Sequence, residues 1–240
     1  MKTNLRIAIQ KSGRLQEGSM ALLKESGLSI SNGRGQLKTQ VRNFPVEILF
    51  LRDDDIPQYI EDQVADVGIV GENVFIEKNK QNTLVKKLDF AKCRLSLAVS
   101  KSENYTGISW LEGKNIATSY PTIVSQYLKA NNIKAGIHEI SGSVEIAPGI
   151  GLADAICDIV STGSTLLING LKEVEVILQS EAVMIASPNL NSDKNEILDQ
   201  LLFRLDAVNS AKNNKYILLN CPDEAIEKIT SVIPGMKSPT

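Results

Sequence analysis

Two acids and a run of hydroxyls stand close together in the segment Glu145–Leu166, EIAPGIGLADAICDIVSTGSTL. Asp154 and Asp158 lie four residues apart within an apolar run from Leu152 to Val160. The run closes on Ser161-Thr162-Gly163-Ser164-Thr165, a small-residue loop entering a helix. Such a loop offers hydroxyls and unpaired backbone N–H groups, backed by the positive end of the helix dipole, to a phosphate. Acids beside a phosphate cradle suit a ribose or a phosphate-bound metal ion. The chemistry suggested is that of a sugar phosphate. The competing reading is an N-capped turn next to a solvated helix face.

Other candidate groups stand at strand ends, the edge that lines the ligand crevice in open α/β sheets. Lys11-Ser12-Gly13-Arg14-Leu15 follows the strand Leu5–Ile9 and sets two cations beside a glycine, an arrangement suited to polyphosphate. It is no Gly-x-Gly-x-x-Gly fingerprint, so dinucleotide binding is unsupported. Arg52-Asp53-Asp54-Asp55 follows Val46–Leu51 in the same way. A base and acids there could hold diphosphate with Mg²⁺, or form a solvated acidic loop in which Asp55 caps a helix. The solvated loop is the reading taken for Asp53 and Asp54. Asp66-Val67-Gly68-Ile69-Val70-Gly71-Glu72-Asn73 places a glycine corner at another strand end, where a ligand can approach the backbone closely. Arg94 is expected at the mouth of the cleft.

The elements that must position these groups read as an α/β fold of alternating short strands and helices. Further strands are expected at Leu37–Val41, Leu84–Leu88, Leu95–Ser100, Glu173–Leu178, Glu181–Ser187 and Tyr216–Asn220. Helices are expected at Leu15–Ser26, Asp193–Ala211 and Pro222–Val232. With no linker or low-complexity tract, a lobe boundary must be a crossover between strands. We place the crossovers near Asp89–Cys93 and Ser180–Glu181. Residues 1–92 with 181–240 then form one lobe and 93–180 the other, and paired crossovers of this kind enclose a cleft.

Bulk properties narrow the function. The 240 residues suit two lobes of about 100–150 residues. A net charge of −2 and the absence of a basic cluster offer nothing to nucleic acid. Apolar runs are strand-sized, far below the roughly 20 residues of a membrane span. Met1–Asn4 passes straight into a strand rather than an export signal. Cys93, Cys157 and Cys221 are scattered and odd in number, which argues against a disulfide framework or zinc and suits a reducing cytoplasm. The single histidine, His138, removes most Ser-His and Cys-His mechanisms, and its apolar-polar surroundings suit an exposed strand position.

Five segments occur in order: Lys11–Leu15, Arg52–Pro57, Asp66–Asn73, Cys93-Arg94-Leu95-Ser96-Leu97-Ala98 and Glu145–Leu166. Together they closely resemble the ATP phosphoribosyltransferases, the first enzymes of histidine biosynthesis, and the resemblance covers nearly the whole chain. It implies a two-lobed fold like that of the type II periplasmic binding proteins, with the active site between the lobes. The reaction implied joins ATP to 5-phosphoribosyl-1-diphosphate (PRPP) with Mg²⁺, giving N1-(5-phosphoribosyl)-ATP and diphosphate. By motif matching, Asp158 and the loop Ser161, Thr162, Gly163, Ser164, Thr165 and Leu166 hold PRPP, with Glu145 and Asp154 near the ribose or metal. Lys11, Ser12, Gly13, Arg14, Leu15, Arg52, Asp53, Gly71, Glu72 and Arg94 fall on the ATP and diphosphate side, Arg14 and Arg52 as catalytic groups. Mg²⁺ is expected mainly on substrate phosphates.

Long-form members of that family carry a C-terminal regulatory domain that binds histidine, whereas short-form members work with a separate subunit. This chain is expected to be long-form-like with the regulatory domain absent, insensitive to histidine, and a homodimer rather than a hexamer. The same architecture also serves non-enzymatic solute-binding and effector-sensing modules, and fold alone does not decide between them.

Overall fold

The structure is a computed structural model that describes residues 4–31, 36–213 and 219–232. Its strands are β1 (Leu5–Gln10), β2 (Lys38–Gln40), β3 (Val46–Leu51), β4 (Val67–Gly71), β5 (Thr83–Lys87), β6 (Cys93–Ser100), β7 (Asn115–Thr118), β8 (Gly136–Glu139), β9 (Ala155–Val160), β10 (Leu171–Ser180) and β11 (Ala182–Ala186). The helices are α1 (Arg14–Glu25), α2 (Ile56–Glu61), α3 (Glu72–Lys78), α4 (Pro121–Ala130), α5 (Ser164–Ile168), α6 (Ser192–Asn213) and α7 (Asp223–Val232).

Two mixed sheets result. One has the order β2-β3-β1-β4-β11-β5 and the other β10-β6-β9-β7-β8. The chain passes between them twice, through residues 88–92 and at Glu181. Within the first sheet β1 pairs in parallel with both β3 and β4. Their carboxyl ends therefore open on one edge and bring Lys11–Leu15, Arg52–Asp53 and Glu72 into one neighbourhood. In the second sheet β7 and β9 are parallel, so Ser119-Tyr120 and Ser161 share an edge in the same way.

The apolar runs of the strands are continuous because both faces of each sheet are covered. Ile7, Ile9, Ile48 and Ile69 of the first sheet meet Leu23 of α1 and Leu201 and Leu205 of α6, all fully buried. Burying side chains of this size contributes about 1.5–3 kcal/mol each. On the other face α2 lies close on β4. A Cβ on Gly68 would come within 2.5 Å of Ile56 Cγ2, so this position admits only glycine without displacing the helix. A second core, with Leu95, Leu97, Ile116 and Val124, packs under the second sheet.

Several expectations change. Asp55 makes no capping hydrogen bond; the chain enters α2 through a 3-10 turn over Asp53–Asp55, with Pro57 in the first turn. The competing reading of Asp154 and Asp158 as a helix face fails, because Ala155–Val160 folds as β9. His138, by contrast, is exposed on a strand, β8, as expected. Of the strand expected at Tyr216–Asn220, residues 216–218 lie outside the described residues, and Leu219 and Asn220 are in no strand. Helix α7 has no buried residue.

Candidate active site

The lobes touch across the cleft through specific hydrogen bonds. Glu77 of α3 reaches the amino end of α4, where the backbone N–H groups of Thr122 and Ile123 donate to its two carboxylate oxygens at 2.9 and 3.0 Å. Those first-turn N–H groups have no partner within their own helix, and no side chain of α4 caps them. Nearby, Asn73 Nδ2 donates to the Tyr120 hydroxyl at 3.2 Å. Asn73 is itself held by Ser180, whose hydroxyl donates to Asn73 Oδ1 at 2.9 Å and accepts the Asn73 N–H at 3.1 Å. Asn73 and Tyr120 were missed as site residues, since a contact between residues 47 apart leaves no local signal.

Between the lobes lies a cavity of about 420 Å³. The first sheet contributes Gly13, Arg14, Leu15, Asp53 and Gly71, and the second lobe contributes Cys93, Tyr120 and Ser161. Gly13 has φ of +90° and Gly163 φ of +82°, conformations that glycine adopts without strain. Gly13 starts α1, whose first N–H groups carry no side-chain cap. Gly163 starts α5 at the end of the hydroxyl loop, where Thr162 and Ser164 hydroxyls lie 3.0 Å apart. The loop is tied down from behind. Arg94 Nη1 donates to the Ser161 carbonyl at 3.2 Å, and Glu173 holds the same guanidinium through two bonds of 2.5 and 2.6 Å. Ser96 adds a bond of 2.7 Å to Glu173. The Arg94 contact holds Glu173 below the usual carboxylate range. Arg94 thus braces the loop.

The acids divide by environment. Asp53 is partly exposed as a residue, yet its Oδ1 is out of contact with solvent and has no hydrogen-bond partner among the described residues. Burial, reinforced by Asp54, pushes its pKa up to about 7, against the opposing pull of the Gly71 N–H and Lys78. The solvated reading therefore fails for Asp53 and holds for exposed Asp54, which pairs with Lys78 at 3.7 Å. Asp158 is raised by burial and by the neighbouring Glu145 charge, and is held by the Ile159 N–H at 2.8 Å. Burial and the Asp158, Asp54 and Asp53 charges keep the Tyr120 phenol protonated far above its usual range. Burial likewise raises the Cys93 thiol.

Not every expected residue arrives. Asp154 sits just before β9 and Asp158 near its far end, so the six-residue strand, about 20 Å long, separates Asp154 from the hydroxyl loop. Asp154 accepts the Asn115 N–H at 2.9 Å and lies 3.5 Å from Lys114 Nζ. It anchors the start of β7. Glu72 is engaged by Lys87 at 2.8 Å. Lys11, Ser12 and Arg52 are exposed on the shared strand-end edge.

A family model described as ATP phosphoribosyltransferase (HisG) matches residues 52–207. The chain is 61% identical over 240 residues to the ATP phosphoribosyltransferase of Cytophaga hutchinsonii, covering 100% of this chain and 84% of the relative. It belongs to the ATP phosphoribosyltransferase family. A model of the family's C-terminal domain matches residues 211–240. The match gives those residues to that domain, so an outright absence of the regulatory domain is not supported. Among solved structures, the ATP phosphoribosyltransferase (HisG:HisZ) complex of Thermotoga maritima superposes with a TM-score of 0.72 at 29% identity, over 85% of this chain and 98% of that one. The alkanesulfonate-binding protein SsuA of Xanthomonas axonopodis gives a TM-score of 0.56 at 14% identity, over 96% and 79%, and shares the fold alone. The architecture is the two-lobed, type II periplasmic-binding-protein fold.

As a member of this family the protein is a pentosyltransferase. It condenses ATP, through adenine N1, with PRPP in the first step of histidine biosynthesis. The family's reaction uses a divalent metal. Among the described residues no group of three or more His, Cys, Asp or Glu side chains could hold a metal ion. A single free oxygen on Asp53 is too little for a protein-built site, so these residues do not fit a resident metal centre. Among the described residues no helix is long and apolar enough to cross a membrane.

Proposed function

We propose that the two lobes divide the substrates between them. The loop Ser161–Thr165 takes the 5-phosphate of PRPP, and Asp158 with Glu145 faces its ribose. ATP and the departing diphosphate lie on the first-sheet edge, against Lys11–Leu15, Arg52, Asp53 and Gly71. The observation that carries this reading is the single cavity in which Gly13 and Arg14 of one lobe face Tyr120 and Ser161 of the other. Asp154, at the opposite end of β9, drops out of the substrate site. Mg²⁺ enters as part of the PRPP substrate, on its diphosphate.

The chemistry matches what these side chains offer. Adenine N1 has a free lone pair, so its attack on ribose C1 needs no strong base. Positive charge grows on the ribose ring and negative charge on the leaving oxygens as the bond to diphosphate breaks. Positioning and cationic stabilisation are then the main requirements, and Arg14 and Arg52 supply cations at the strand-end edge. One such contact is worth about 3–4 kcal/mol. Arg14→Ala and Arg52→Ala should each lower turnover by about 10²–10³ while the far-UV circular dichroism stays unchanged. Near-normal rates in both variants would refute the placement.

We also propose that the chain works in the cytoplasm as a homodimer. Light scattering that gives a monomer or a hexamer would refute the dimer.

A further inference from the structure

Asp53 lies on the ATP side of the cleft, but no hydrogen bond to substrate has been assigned to it so far. It lies at the carboxyl end of β3, its Oδ1 accepts nothing from the described residues, and it lines the cavity beside Gly13 and Arg14. A buried carboxylate oxygen without a donor is expensive, so a donor from a ligand is the natural complement. Its charged and titratable neighbours are accounted for. They are Asp54 on its own turn, Lys78 on α3, Cys93 on β6 and Tyr120 at the start of α4, with Arg14 and Lys92 also lining the cavity.

ATP brings two kinds of hydrogen-bond donor, the exocyclic N6 amine and the ribose hydroxyls. Adenine N1 must meet ribose C1 of PRPP where the lobes join. Asp53 is at that junction, since it lines the same cavity as Cys93 and Tyr120 of the second lobe. The N6 amine is bonded to the carbon next to N1 and cannot be far from the junction, whereas the ATP ribose hangs from the other end of the purine. Resting on the substrate placement above, we propose that Asp53 Oδ1 accepts an N6–H of adenine, making Asp53 the residue that selects a 6-amino purine and stabilises the charge that develops on it. As N1 forms its bond to C1 and diphosphate leaves with the bonding pair, the adenine becomes cationic across N1, C6 and N6. The N6–H to carboxylate hydrogen bond strengthens at that moment, which is how an interaction raises turnover rather than only affinity. The same carboxylate repels the 6-carbonyl of hypoxanthine.

The test is discrimination between ATP and inosine triphosphate (ITP), in which a 6-carbonyl and an N1–H replace the 6-amine and the free N1 lone pair. ATP turnover and the inhibition constant of ITP against ATP are measured for wild type and Asp53→Asn. In the variant, kcat for ATP should fall by roughly tenfold to a hundredfold, and the preference for ATP over ITP should shrink by about tenfold or more. The wild-type protein supplies a second reading that needs no variant. Protonating Asp53 replaces the repelling carboxylate by a group able to donate to the 6-carbonyl, so the ATP-to-ITP preference should fall as pH drops from about 8 to 6. Triphosphate ionisation is common to both nucleotides and cancels in the ratio. An unchanged preference in both experiments would overturn the proposal, and is the outcome expected if Asp53 held ribose or metal instead. A crippled Arg14→Ala with an unchanged preference defeats this inference alone; a normal Arg14→Ala defeats the substrate placement beneath it.

Discussion

Replacing Asp53 by Asn should make the protein more stable, and by an amount that depends on pH. The carboxyl has a pKa of about 7 in the folded protein against an ordinary 3.8, with burial the main cause and Asp54 the next. A separation of about 3 pH units at about 1.36 kcal/mol each amounts to an upper estimate on the order of 4 kcal/mol. The sign follows from proton counting. Between pH 4 and 7 the folded protein still holds a proton that the unfolded chain has released, so this group makes stability fall as pH rises through that window. Below about 4 both states are protonated and the penalty vanishes; above about 7 it is fully present. Urea unfolding of wild type and Asp53→Asn at a series of pH values isolates the term, since the other titrating groups are common to both. The two proteins should be nearly equal in stability near pH 4.5, with the variant gaining steadily up to pH 7 and levelling off beyond. A stability difference independent of pH, or one that favours wild type as pH rises, would refute the burial of the Asp53 carboxylate.

Glu77→Ala removes the carboxylate that caps α4 from the other lobe, and should cost about 1–2 kcal/mol in urea unfolding. Glu77→Gln, with one acceptor oxygen, should lose roughly half of that, and equal stability of Ala and wild type would dismiss the contact. Asp154→Ala should leave the KM for PRPP unchanged and lower stability by only about 1 kcal/mol, because its partners are Lys114 and the Asn115 N–H; a many-fold rise in KM would return Asp154 to the substrate site.

The alternation of apolar strands and helices was legible along the chain because the side chains of β1, β4, β6, β9 and β11 are largely buried on both faces. Residues Lys11–Leu15 and Arg52 could be placed at a shared edge for the same reason, since each follows a strand directly. The misreadings have local causes. Leu152–Val160 does not reveal where its strand begins, and an apolar run with acids four apart fits a helix as well as a strand that carries Asp154 and Asp158 to opposite ends. Asp53 stands first in a triplet of acids, which reads as surface; the Gly71 N–H that reaches it comes from another strand end. Glu77, Asn73 and Tyr120 act across the cleft, and their pairing depends on how the two sheets face one another.

The central claim is that this cleft joins two substrates and does more than hold one. It is tested most directly by mixing the protein with ATP, PRPP and Mg²⁺ and following the absorbance of phosphoribosyl-ATP together with released diphosphate. The account predicts that both products form in equal amounts and only when both substrates are present. Saturable binding of either substrate without any product would contradict it.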